Sequence, residues 1–327
     1  MRTLADLLAP ITPERFLAQH WERRPLHISR TTPGYYDPLL TKQTIDTAIA
    51  SGGLRFPGIQ LAKGGGFVMP EAFTRSIRAG DDIFTGVPIL ERVREEYQSG
   101  ATISLPGFHR AWPPLGALTA AIEAQMSHPV HTNIYLTPGA AAGFTPHFDT
   151  HEVFVLQIAG TKHWVIYPPP IELPHRSQPF DPRLAVNAAP LLEFDLTPGD
   201  LLYLPRGFVH TTTTPASFSL HVTLGITVYT WVELLADWAH ASRHDPALRH
   251  ALPPGFASGC GAPAALKAGL HAAIARLQQT TDLDALLDRF TQRVNAASNS
   301  VAASFDSDVS VAASPAPDRA SRRVIAQ

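Results

Sequence analysis

Thr145-Pro146-His147-Phe148-Asp149 is the stretch on which the reading of this chain turns. In an extended strand successive side chains point to opposite faces, so His147 and Asp149 leave the backbone on the same side. An imidazole and a carboxylate so placed supply two-thirds of the 2-His-1-carboxylate triad, a set that holds Fe(II) and keeps coordination positions open. Leu204-Pro205-Arg206-Gly207-Phe208-Val209-His210 offers the third ligand at the far end of a strand-rich region. A lone His-x-Asp is a weak signal; the order of elements around it is what gives it weight.

Outward from that stretch the apolar period is that of strands. Val130 to Leu136, His147 to Ile158, Lys162 to Tyr167, Leu191 to Asp195, Leu201 to Leu204 and Phe218 to Tyr229 are short β-rich runs bounded by Gly or Pro. That spacing predicts an antiparallel sandwich or barrel over residues 126–230. Residues 1–125 read as mostly helical and packed on the barrel. Leu4, Leu7 and Leu8 share a helical face, and Thr12-Pro13-Glu14 starts a second helix with Pro in its first turn. Two short strands flank Gly64-Gly65-Gly66, which lacks the context of a phosphate-binding loop. Residues 231–295 read as a helical bundle expected to form a homodimer. The Ala/Ser-rich residues 296–327, with no apolar period, read as a disordered tail.

Composition limits the alternatives. With 327 residues, 45% hydrophobic and 17% charged, the chain is long enough for a sizeable core. A formal charge of −2 argues against nucleic acid as the dominant partner. The single cysteine, Cys260, excludes an intrachain disulfide and any Cys-based metal site, and reads as a free thiol in a Gly-rich loop. No apolar run suggests a membrane span or signal peptide, so a cytoplasmic location is expected.

Four motifs in order carry a resemblance: Thr145 to Asp149; Glu152-Val153-Phe154-Val155-Leu156-Gln157-Ile158-Ala159-Gly160-Thr161-Lys162-His163-Trp164; Pro198-Gly199-Asp200 through His210; and Trp21-Glu22-Arg23-Arg24-Pro25-Leu26 near the start. Together they resemble the JmjC-type cupins of the ribosomal-oxygenase group, over residues 1 to about 235. The resemblance implies a mainly β core with α additions, a double-stranded β-helix of the cupin/JmjC jelly-roll type. It implies an Fe(II)- and 2-oxoglutarate-dependent dioxygenase, using O2 to hydroxylate a C–H of a protein or peptide side chain and releasing succinate and CO2. His147, Asp149 and His210 would be the metal ligands. Lys162, expected in the strand beside His147 to Leu156, would pair the distal carboxylate of 2-oxoglutarate, since a buried lysine needs an anionic partner.

Asn133 and Tyr135 share a strand face and resemble positions lining the co-substrate pocket. Relatives usually carry a Ser or Thr hydroxyl near Gly225; Thr223 or Thr227, on the same strand face, is expected to replace it. His151, where relatives more often have an acidic residue and which is in register with His147 and Asp149, reads as a polar strand-end residue, with a substrate-facing or metal-supporting role as the alternative; His109, His128, His131, His163, His175, His240, His244, His250 and His271 read as solvated or satisfied polar groups. Relatives commonly add a winged-helix module, for which the residues after 295 are too few, so a natural-product peptide or small metabolite remains an alternative substrate. Two other classes stay open: a cupin metalloenzyme that does not use 2-oxoglutarate, against which Lys162 argues, and a silent binding module, against which the triad argues.

Overall fold

The structure, a computed structural model, describes residues 3–141, 144–184, 188–215, 217–257 and 263–303. Cys260 and the tail beyond residue 303 lie outside the described residues. Two compact units divide after Leu252, so the helix that follows the barrel goes with the barrel rather than with the later helices.

In chain order the first unit opens with α1 (Leu4–Leu8), α2 (Pro13–Gln19), β1 (Leu26–Ile28) and α3 (Lys42–Ala50). It continues with β2 (Gln60–Lys63), β3 (Gly66–Phe67), α4 (Pro70–Phe73), β4 (Thr74–Ala79), β5 (Asp82–Pro88), α5 (Leu90–Gln98), β6 (Thr102–Pro106) and α6 (Pro113–Met126). The barrel strands are β7 (Val130–Pro138), β8 (Glu152–Gly160), β9 (Lys162–Ile166), β10 (Leu192–Leu196), β11 (Leu201–Leu204), β12 (His210–Thr213) and β13 (Phe218–Ile226), followed by α7 (Trp231–Ala241). The second unit contains α8 (Pro263–Thr280) and α9 (Leu283–Ala303). α9 runs past the point where the tail was expected to begin, because an Ala-rich segment keeps good helix propensity without an apolar stripe.

Eight strands form the major sheet, in the order β1-β11-β8-β13-β7-β6-β2-β3, and three form a minor sheet, β10-β9-β12. Alternation decides which face goes where. On β7 and β13, Val130, Ile134, Leu136, Leu220, Val222, Leu224 and Ile226 face a large core that also contains Phe16, Leu115, Leu118 and Ile122 from the helices. The opposite face of β8 and β11 presents Val153, Val155, Leu202 and Leu204 to Trp164, Ile166 and Leu196 of the minor sheet. With both faces covered, β8 is buried from Glu152 to Ile158, and within it Val153 to Leu156 reads as an unbroken apolar run. Burying each such Leu or Val contributes about 1.5–3 kcal/mol.

Three expectations about this region are corrected. Residues 35–125 keep the expected helices α3, α5 and α6 and the two strands flanking Gly64-Gly65-Gly66, but add three strands: β4 and β5 form a largely exposed hairpin with no apolar alternation, and β6 is buried across Thr102 to Leu105 and looks like a short core run. The strand expected from His147 begins only at Glu152; before it, His147 makes a single bridge to His210. Lys162 does not lie in the strand beside β8. The chain turns a tight corner at Gly160 and enters the minor sheet, where Lys162 pairs with Leu196. Gly160 has φ +64°, and a Cβ there would sit 2.0 Å from the Phe218 carbonyl oxygen, so no other residue makes this corner.

Candidate active site

His147 and His210 are brought together by backbone pairing. The His147 N–H donates to the His210 carbonyl at 3.2 Å, and the His210 N–H returns the bond at 2.8 Å. This places the two imidazoles side by side, 4.5 Å between centroids. Each ring spends its Nδ1–H on a backbone carbonyl, His147 on Thr145 at 2.8 Å and His210 on Phe208 at 3.2 Å. Both Nε2 lone pairs are thereby left for a metal. Asp149 follows from the same extended segment, anchored by Gly207 N–H to its carbonyl at 3.0 Å. One ligand atom from each of the three residues lies within 4.8 Å of the others.

Electrostatics suit the ligand forms. Burial pushes His210 down to about 4, with the neighbouring His147 adding to the shift, so its imidazole is neutral. Burial alone would raise Asp149, but His151, His210, His147 and His131 around it hold the carboxyl below its ordinary value.

The triad opens on a cavity of about 220 Å³ between the two sheets. On one wall β13 and β7 run as paired rungs: Gly225 opposite His131, Thr223 opposite Asn133, and His221 opposite Tyr135. Asn133, Tyr135, Thr223 and Lys162 line this cavity together with His147, Asp149 and His210. Thr227 does not. The strand ends at Ile226, the Thr227 N–H bonds to Pro129, and its side chain lines a separate small cavity beside Arg206 and Glu233.

Lys162 is 2% exposed and forms no ion pair among the described residues. Its Nζ donates to Thr214 Oγ1 at 3.0 Å and Thr137 Oγ1 at 3.2 Å, and Thr102 Oγ1 donates to Thr137. Burial pushes the ammonium down to about 8. The drop from 10.5 amounts to roughly 3 kcal/mol that an anionic ligand would recover. The threonines were missed by sequence reasoning because they come from three separate strands or loops.

Of the histidine readings, that of His151 as a plain strand-end residue is corrected, while His109 is the satisfied polar group expected. His151 is no strand-end bystander: it lines the cavity beside Asp149. His131 packs against it at 4.9 Å and, pushed by burial to about 4, is neutral; His109 is buried against Thr132. These rings explain Gly225, whose added Cβ would sit 2.3 Å from His131 Nε2 and 2.8 Å from His151 Cδ2. A hydroxyl-bearing side chain has no room there while His131 is present. Gly225→Ala is therefore expected to cost about 1–3 kcal/mol of stability, and most of that loss should vanish in the His131→Ala background. Urea unfolding of the two single variants and the double variant checks this; simple additivity would refute the steric account.

Behind the triad, Glu152 is fully buried and accepts hydrogen bonds from the Tyr203 hydroxyl and from Arg206 Nη1–H, the latter at 2.8 Å. Arg206 also pairs with Glu22, whose own N–H donates to Tyr203 Oη at 3.0 Å. The Trp21-Glu22 motif thus clamps the segment that carries Gly207 and His210.

The model of the JmjC domain family matches residues 114–234, the span holding the whole triad. This chain carries a JmjC domain. Ribosomal oxygenase 1 of Gallus gallus is 34% identical to it over 222 residues, 67% of this chain and 35% of that protein. The bifunctional lysine-specific demethylase and histidyl-hydroxylase NO66 of Drosophila persimilis is 34% identical over 225 residues, 68% of this chain and 31% of its own length. The chain spans about a third of the length of these relatives. A solved structure of the Escherichia coli ribosomal oxygenase YcfD in complex with cobalt and 2-oxoglutarate matches with a TM-score of 0.52 at 17% identity, covering 86% of this chain and 71% of YcfD. That likeness is one of fold, and it makes the two-sheet core around the JmjC triad a cupin-like β core with helical additions.

Proposed function

We propose that this JmjC domain is an Fe(II)- and 2-oxoglutarate-dependent oxygenase that hydroxylates a C–H of a protein or peptide side chain. The observation that carries the reading is Lys162, a buried cation without a counter-ion among the described residues, in the same cavity as a His-Asp-His triad. The names of the two relatives, an oxygenase and a histidyl-hydroxylase, support a protein substrate.

Bound iron and 2-oxoglutarate would supply the oxidation of an unactivated C–H, with succinate and CO2 as by-products. The chain's part is to position and to shield. His147, Asp149 and His210 would hold the metal from three protein atoms, leaving positions for co-substrate and O2. Lys162 would fix the far carboxylate of the co-substrate, and Val153, Trp164 and Leu204 give the same cavity an apolar wall that helps exclude water. His151, Asn133 and Thr223 line the cavity and are available to the substrate side chain. We extend the proposal to a cytoplasmic location and to a homodimer; among the described residues no helix is long and apolar enough to cross a membrane, and α7 leaves Trp231, Val232 and Leu235 exposed.

Anaerobic titration with Fe(II) and 2-oxoglutarate tests the reading through the weak visible charge-transfer band of the chelate. The band should appear in the wild type and weaken in Lys162→Ala; iron binding with no change on adding 2-oxoglutarate would mean a metallo-cupin of another kind. A pH dependence follows. Lys162 must be charged to hold an anion, and alone it loses its proton near pH 8. Affinity for 2-oxoglutarate should be flat below pH 7 and fall as pH rises through 8, approaching about tenfold per unit. A flat profile to pH 9.5 would remove Lys162 from this role.

A further inference from the structure

One polar group in the cavity has no role so far. His221, on β13, stands directly opposite Tyr135 and stacks on its ring at 5.1 Å, with the Trp164 ring edge-on at 6.1 Å. It is 5% exposed, lines the cavity with Lys162, and makes no hydrogen bond with the described residues. Of its two ring nitrogens Nδ1 is packed without a partner, while Nε2 is not sealed and has no partner among the described residues. A bulge on β8 falls opposite the Leu220–His221 step, a distortion common beside functional sites because it re-aims side chains. A buried imidazole with no partner weakens a fold that a phenylalanine of similar shape would satisfy. Such a group calls for a ligand atom.

We infer that His221 is a second recognition group for the distal carboxylate of 2-oxoglutarate, its Nε2–H donating to the oxygen that Lys162 leaves free. The inference rests on the 2-oxoglutarate reading and adds a residue to it. Lys162 has three N–H donors, two of them committed to Thr137 and Thr214, so it offers one to the ligand. A carboxylate has two oxygens to satisfy, and in a buried pocket each needs a donor. Burial, together with the Lys162 charge, holds the His221 imidazole neutral, the form with one N–H to give and no charge of its own to repel Lys162. Lys162 then supplies attraction, and His221 supplies the direction that separates a carboxylate from an uncharged chain end.

The test compares 2-oxoglutarate with 2-oxopentanoate, which has the same chain and keto-acid end but no distal carboxylate. Dissociation constants are measured anaerobically on the Fe(II) protein by the charge-transfer band, for wild type, His221→Phe and His221→Gln. His221→Phe, which keeps the ring stack on Tyr135, should weaken 2-oxoglutarate by about 10-fold or more and leave 2-oxopentanoate within about twofold. His221→Gln, with an amide N–H, should recover part of the loss. Unchanged 2-oxoglutarate affinity in His221→Phe overturns the inference, as does an equal loss for both acids, which would mark a merely structural ring. In the wild type loaded with Zn(II), 2-oxoglutarate but not 2-oxopentanoate should also move the His221 ring 15N resonances, a readout that needs no folded variant; no movement overturns the inference. A wild type that does not prefer 2-oxoglutarate to 2-oxopentanoate sinks the co-substrate reading itself, a different result from either.

Discussion

Asp149→Asn is expected to abolish tight Fe(II) binding, and with it the proposed hydroxylation, while the protein stays folded. The substitution keeps the size of the side chain and removes the one carboxylate that the cavity lining offers a metal. His147 and His210 remain, still held by their reciprocal backbone bonds, but two neutral imidazoles lack the charge that opposes a divalent ion. Losing a group behind a ligand typically costs about 10–100-fold in metal affinity; losing the charged ligand itself should cost at least about 100-fold. Calorimetric titration with Fe(II) or Mn(II) gives the affinity, and a melting curve gives the fold. A variant that binds metal as the wild type does would show that the triad is not the metal site. A variant that no longer folds would assign Asp149 a packing role instead.

Arg206→Leu is expected to give the largest loss of stability. Arg206 is 5% exposed and bridges Glu22 to Glu152, which is fully buried. Without the guanidinium, Glu152 keeps the Tyr203 hydroxyl and a long 3.4 Å bond from the backbone N–H of residue 206, and breaking a buried pair from one side typically costs about 3–5 kcal/mol. For a unit of this size that is roughly 10 °C in melting temperature. Burial already raises the Glu152 carboxyl above its ordinary value, and loss of Arg206 raises it further. The folded variant must then hold a proton that the unfolded chain releases, so its stability falls as pH rises and its deficit shrinks toward pH 5. Melting curves of both proteins from pH 5 to 8 test this. A deficit under about 1 kcal/mol, typical of an exposed pair, would deny the clamp its structural role. Because Gly207 anchors Asp149 and Phe208 orients His210, the same variant should also bind metal more weakly.

The sequence by itself determined the chemistry that depends on short spacing. His147 and Asp149 lie two apart in an extended segment, so local geometry puts them on one face, and His210 was legible from the Pro205-Arg206-Gly207 turn before it, although cross-strand pairing is what brings it to the other two. The barrel strands were legible for the same reason, since each is a short run closed by Gly or Pro. Boundaries failed where a tertiary contact replaces the local signal: His147 looks like the start of a strand but owes its position to a single bridge with His210. Thr227 kept the alternation of β13 on paper, yet the strand ends one residue before it. Only the tertiary structure decided which sheet Lys162 enters, that Thr137 and Thr214 hold its ammonium, and that His131 takes the space above Gly225. It also decided that His221 faces the same cavity as Lys162. These contacts join residues tens of positions apart through cross-strand register and the corner at Gly160. A one-residue slip in either would turn every one of those side chains to the opposite face.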